Sequence, residues 1–67
     1  MQERYEEAIK ATFKYLDDGA FTGSYAEAIV SHMKLLGFEV YCTYDYDQSV
    51  ICVYPMQYNL PTHIWRK

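Results

Sequence analysis

Phe38-Glu39-Val40-Tyr41-Cys42-Thr43-Tyr44-Asp45-Tyr46, then Asp47-Gln48-Ser49, then Val50-Ile51-Cys52-Val53-Tyr54-Pro55 is the stretch that decides the fold. In its first part Phe38, Val40, Cys42, Tyr44 and Tyr46 alternate with Glu39, Tyr41, Thr43 and Asp45. A period of two puts successive side chains on opposite faces of a strand, so residues 38–46 are predicted to be one. Asp47-Gln48-Ser49 has turn chemistry, although no glycine fixes the turn type. Residues 50–55 form the returning strand, which Pro55 closes because it cannot donate to a ladder.

The two strands differ in kind. The first has one apolar face and one mixed face. The second is apolar on both, with Val50, Cys52, Tyr54 and Met56 on one side and Ile51, Val53 and Pro55 on the other. An isolated hairpin is barely stable, and helices on one side leave the other side bare. The second face therefore needs the chain's own tail with Trp65, a second copy, or a partner protein. The strand could also pair on both of its edges within one molecule.

Upstream the period changes. Tyr5, Ala8, Ile9, Thr12, Phe13 and Leu16 fall at helical spacing and make one buried stripe, with Glu3, Glu7, Lys10, Lys14 and Asp17 on the opposite face. This predicts a helix over 2–17. Its acidic start suits the helix dipole, Asp17-Asp18 at its end do not, and Gly19 can close it. Phe21 is expected to plug the gap between helices. Ser24-Tyr25-Ala26-Glu27 is a capping box opening a second helix over 25–36, with Ala26, Ile29, Val30, Met33 and Leu36 on one face. Gly37 stops that helix, and Phe38 beyond it suits a Schellman ending. Downstream, residues 56–67 show no clear period. Pro61 interrupts them, and His63-Ile64-Trp65 reads as a short helical turn or an added edge strand.

The expected architecture is one small α+β domain over 1–67. Two amphipathic helices pack on one face of a C-terminal antiparallel hairpin, in the order ααββ, followed by an irregular tail. Its core is the two helical stripes, Phe21, Phe38, Val40 and one face of residues 50–54. With 67 residues the chain has little to spare for an enzyme cleft. Half of the residues (51%) are apolar, too many for a disordered chain. The opening Met1-Gln2-Glu3-Arg4 leads into an amphipathic pattern and not a basic flank with an apolar stretch, so no export signal is expected, and no apolar run reaches the length that spans a bilayer. The expectation is a cytoplasmic protein with reduced Cys42 and Cys52.

Net charge is −3, and its layout is uneven. Residues 1–37 hold four cations and six acids. Residues 38–62 hold Glu39, Asp45 and Asp47 without Lys or Arg, and Arg66 and Lys67 follow. Phosphate backbones need clustered cations, so nucleic acid is disfavoured, although sheet tyrosines could stack the bases of a single strand. A basic protein surface is favoured. Tyr44-Asp45-Tyr46-Asp47 offers phenols and carboxylates suited to arginine; as an ordinary turn, the same run would simply be solvated.

Other chemistries find little support. Cys42, Cys52, His32 and His63 lack zinc-ligand spacing. Ser24 serves as a cap and Ser49 lies in a turn, so no nucleophile is set up, and no glycine-rich loop could hold phosphate. No cofactor, metal or catalytic residue is expected. The functional expectation is a non-enzymatic interaction module, in the manner of an inhibitor, binding a basic partner protein through Tyr41, Tyr44, Asp45, Tyr46, Asp47 and Tyr54. A homodimeric structural module and a single-strand binder are the alternatives. In size, acidity and tyrosine content the chain resembles the short accessory proteins of bacteriophages and mobile elements, which block or redirect host machinery.

Overall fold

The computed structural model describes residues 2–19, 23–57 and 59–66. The order of elements is α1 (Gln2–Asp18), α2 (Tyr25–Leu35), β1 (Val40–Asp45), β2 (Val50–Pro55) and β3 (His63–Arg66). The two helices pack on a three-stranded antiparallel sheet in the order β1-β2-β3. The expected α+β layering holds, and the hairpin is its larger part. The tail differs from an irregular one, because residues 63–66 pair with β2 as a third strand.

Local chemistry accounts for the boundaries. The Ser24 hydroxyl accepts from the Glu27 amide at 3.3 Å and starts α2. At its other end Phe38 donates to the Met33 carbonyl at 2.9 Å and Gly37 to Lys34 at 3.0 Å, the paired bonds of a Schellman ending. Gly37 carries the left-handed φ of +94° that this ending requires. Phe21 lies outside the described residues.

The sheet register explains both prolines. The Met56 amide donates to the Glu39 carbonyl at 3.0 Å. Bonded and non-bonded pairs alternate along an antiparallel ladder. Hence Val50, Cys52 and Tyr54 turn their backbone groups toward β1, and Ile51 and Val53 turn theirs toward Trp65 and His63 of β3. Continuing that second register would set Pro55 opposite Pro61. Neither has an N–H to give, so the β2–β3 ladder stops there.

Both helices cover the same sheet face. Tyr5, Ile9, Leu16, Ile29 and Met33 meet Phe38, Val40, Ile51, Val53 and Trp65 in one cluster. The Tyr5 ring meets Phe38 edge-on at 5.5 Å and leans on His63 at 5.6 Å. Between the helices, the fully buried Thr12 hydroxyl donates to the Met33 sulfur at 3.2 Å. It also lies 2.7 Å from His32 Nδ1. The His32 ring stacks on Tyr15 at 4.6 Å. His32, at the edge of its helical stripe, is thus a joint between α1 and α2.

Candidate functional site

Alternation along β1 and β2 divides Tyr41, Tyr44, Asp45 and Tyr54 between two sides of the sheet, and Tyr46 and Asp47 lie in the turn. Val40, Cys42 and Tyr44 face the helices, together with Ile51 and Val53. Glu39, Tyr41, Thr43 and Asp45 face away, with Val50, Cys52, Tyr54 and Met56 beside them and Ile64 and Arg66 from β3. On this outer face Tyr41 and Tyr54 are cross-strand partners, and their rings stack at 5.0 Å and 17°. Tyr41 is 47% exposed, Ile64 51% and Met56 60%. Val50 is the exception, almost fully buried between its register partners Asp45 and Arg66.

Tyr44 and Tyr46 belong to the other side. Their rings meet edge-on at 4.7 Å and, with Ser24, Tyr25, Ala26 and Ile51, line an open hollow beside the start of α2. Tyr46 is 85% exposed at the turn. Asp47 is exposed as well, whereas Asp45 is half-buried and engaged. One oxygen of its carboxylate accepts from the amides of Asp47 at 3.0 Å and Gln48 at 3.2 Å. This Asx turn supplies what the missing glycine does not, and Ser49 closes the loop with a left-handed φ of +56°. Asp45 is therefore a structural residue of the turn, and Asp47 is its free carboxylate.

The tail does not cover the outer face. Its strand extends the sheet sideways and sends Trp65 inward, where the indole packs against Tyr25 at 5.0 Å. Both edges of β2 are thereby satisfied, while the apolar outer face stays open among the described residues.

The cysteines and histidines are placed apart. The four-residue turn 46–49 pairs Cys42 with Val53 and Cys52 with Thr43, so the two thiols point to opposite faces. Cys42 and His63 share the inner face with the width of β2 between them, about 10 Å at ordinary strand spacing. Burial pushes the Cys42 thiol up from 9.0 to about 11. It also raises Tyr5, with the neighbouring Cys42 charge adding to the effect. Among the described residues no group of three or more His, Cys, Asp or Glu is placed to hold a metal ion. Nor is any helix among them long and apolar enough to cross a membrane.

Sequence reasoning missed the furrow between α2 and β1. Three hollows run end to end along it. The one at the turn end is lined by Ala26, Tyr44 and Tyr46. The middle one, about 500 Å³, is lined by Ala26, Glu27, Val30, Ser31 and Val40–Cys42. The last is lined by Val30, Lys34, Glu39, Val40 and Met56. Spacing alone reads Ala26 and Val30, one helical turn apart, as core, whereas both are only half-buried.

Compared with protein-family models, with curated proteins and with solved structures, the chain finds no match.

Proposed function

We propose that this chain is a non-enzymatic protein-interaction module. It engages a basic surface of a partner protein through the tyrosine-bearing side of its sheet and the acidic turn beside it. The observation that carries this reading is the Tyr41–Tyr54 stack on a face that the third strand leaves open. Two phenol rings with Met56 and Ile64 make an apolar centre, and Glu39 and Asp47 lie toward its rim. Aromatic centres with polar rims are the usual composition of interfaces. Arginine suits such a surface twice, as a cation over the rings and as a fork for the carboxylates. An inhibitor of a basic protein would work this way, by occupying the surface that its target uses.

Glu39→Lys with Asp47→Lys tests the reading, since neither side chain is buried or engaged in the turn bonds. Immobilised wild-type protein is expected to retain an arginine-rich peptide, with binding weakened by salt. The double variant should lose at least about tenfold in affinity while melting at the same temperature. Equal binding by the double variant would remove the proposal. The stacked tyrosines favour a second reading, a single-strand nucleic-acid binder. Arg66 is the one cation on that face among the described residues. Affinity for an oligothymidylate at low salt, with none for the peptide, would select it.

A further inference from the structure

We infer that the partner docks as an added strand: an extended segment of alternating apolar and basic residues pairs with the free edge of β1 and sends its apolar side chains into the furrow between β1 and α2. This rests on the interaction reading above and names the form of its partner.

Three observations converge on it. The first is the backbone. β1 is an edge strand, and the ladder phase set by the Met56–Glu39 bond turns Tyr41, Thr43 and Asp45 toward β2. The amides and carbonyls of Val40, Cys42 and Tyr44 therefore point outward, with no strand opposite them among the described residues. Natural edges are usually blunted by lysine, proline or a bulge. This one has none of them: residues 40–45 are Val-Tyr-Cys-Thr-Tyr-Asp.

The second is the furrow: its first two hollows share Ala26, its last two share Val30 and Val40, and together they follow β1 from the Tyr46 end to the Met56 end. An added strand alternates its side chains as β1 does. Those on the helix side would enter the furrow against Ala26, Val30 and Cys42. Those on the other side would lie next to Glu39, Tyr41 and Asp45.

The third is charge, which chooses the occupant. Glu27 and Glu39 line the furrow against Lys34 alone, and Asp45 and Asp47 follow at the end of β1 and in the turn after it. A second copy pairing antiparallel about Cys42 would set Glu39 opposite Asp45 twice, and like charges directly opposite are destabilising. A basic strand places cations at those same positions. Strand addition with side-chain pockets at alternate positions is an established mode of peptide recognition.

The probe is an acetylated, amidated Arg-Val-Arg-Val-Arg-Val-Arg peptide titrated into the labelled full chain, read by amide exchange and chemical shift. The amides of Val40, Cys42 and Tyr44 are expected to slow in exchange by about tenfold or more, because each gains an acceptor. The same peptide N-methylated at its valines should bind at least about tenfold more weakly, since its bonding edge is blocked. Ser31→Lys, which puts a charge in the furrow from an exposed position, should also weaken binding without lowering the melting temperature. Binding that shifts Tyr41 and Tyr54 but leaves those three amides fast overturns strand addition while the interaction reading stands. So does equal binding by the N-methylated peptide. No response at either surface overturns both. Slow exchange at the three amides without peptide, rising with protein concentration alongside a doubled mass, overturns the basic occupant in favour of a second copy.

Discussion

The indole N–H of Trp65 donates to Asp17 Oδ1 across 3.3 Å, tying β3 to the last turn of α1. A carboxylate at a helix C-terminus opposes the helix dipole; here it is the acceptor for a tryptophan only 6% exposed. Removing it leaves that donor short of a partner. Asp17→Ala is expected to cost about 1–2 kcal/mol in a urea melt, with Asp17→Asn costing less because its amide oxygen still accepts. Asp18→Ala, which has no such task, is the control and should change little.

Tyr5 poses the opposite case. Its ring is fully buried at the centre of the core, yet its hydroxyl has no hydrogen-bond partner among the described residues. The ring contributes burial, while the hydroxyl carries an uncompensated desolvation cost. Tyr5→Phe is therefore expected to be neutral or stabilising by up to about 1 kcal/mol. Tyr5→Ala should lose about 3–5 kcal/mol, as large aromatic-to-alanine changes in cores do. Thermal melts of the two variants separate ring from hydroxyl.

Alkaline pH should weaken the fold. Burial raises Cys42 from 9.0 to about 11 and raises Tyr5 as well. Both groups are neutral when protonated, and both hold the proton more tightly folded than unfolded. Below about pH 9 this contribution is fully present. Between there and about pH 11 the unfolded chain gives up protons that the folded chain keeps, so stability falls as pH rises. Melting temperatures at pH 7, 9 and 10.5 should show the fall, and Cys42→Ala should make it shallower.

The thiols should also differ in reactivity. At pH 8 a thiol titrating near 11 is ionised to on the order of one part in a thousand, so Cys42 should alkylate very slowly in the native protein. Cys52 is on the uncovered face and should react first. Mass spectrometry after brief iodoacetamide treatment reads the order directly. Because the strands point the two sulfurs apart, air oxidation should leave no disulfide within one chain.

The turn distinguishes its two aspartates. Asp45→Ala removes the acceptor of two amides and should cost about 1–2 kcal/mol. Asp47→Ala should stay within about 0.5 kcal/mol of wild type. Equal losses in chemical melts would contradict the Asx turn.

Both helices and the hairpin were legible because each carries its period over six or more residues. The Ser24 cap and the Gly37 ending were legible because they depend on neighbours in sequence. β3 was legible only as one of two readings, a helical turn or an added edge strand, since His63–Arg66 is four residues long, follows a proline, and buries Trp65 against elements far along the chain. Its need was visible in β2, whose apolar residues lie on both faces. That excess turned out to mean two things at once, a second paired edge and an open face. The candidate residues were readable as types but not as one surface. The same alternation that marks β1 as a strand separates Tyr41 from Tyr44, and only the register pairs Tyr41 with Tyr54. The furrow needed the packing of α2 on β1, which no local pattern contains.

Each strand of the sheet lies beside its neighbour in sequence, and the helices are also consecutive. The consequence is kinetic. Closing the links at residues 46–49 and 56–62 costs little chain entropy, because that cost grows only slowly with loop length. A helical hairpin and a strand meander can therefore form separately, leaving their docking through Tyr5, Phe38 and Trp65 as the final, cooperative step. Small mixed domains with such local topology fold in about milliseconds. The open outer sheet face takes no part in that docking, so tyrosine substitutions there should speed unfolding little and leave the refolding rate almost untouched.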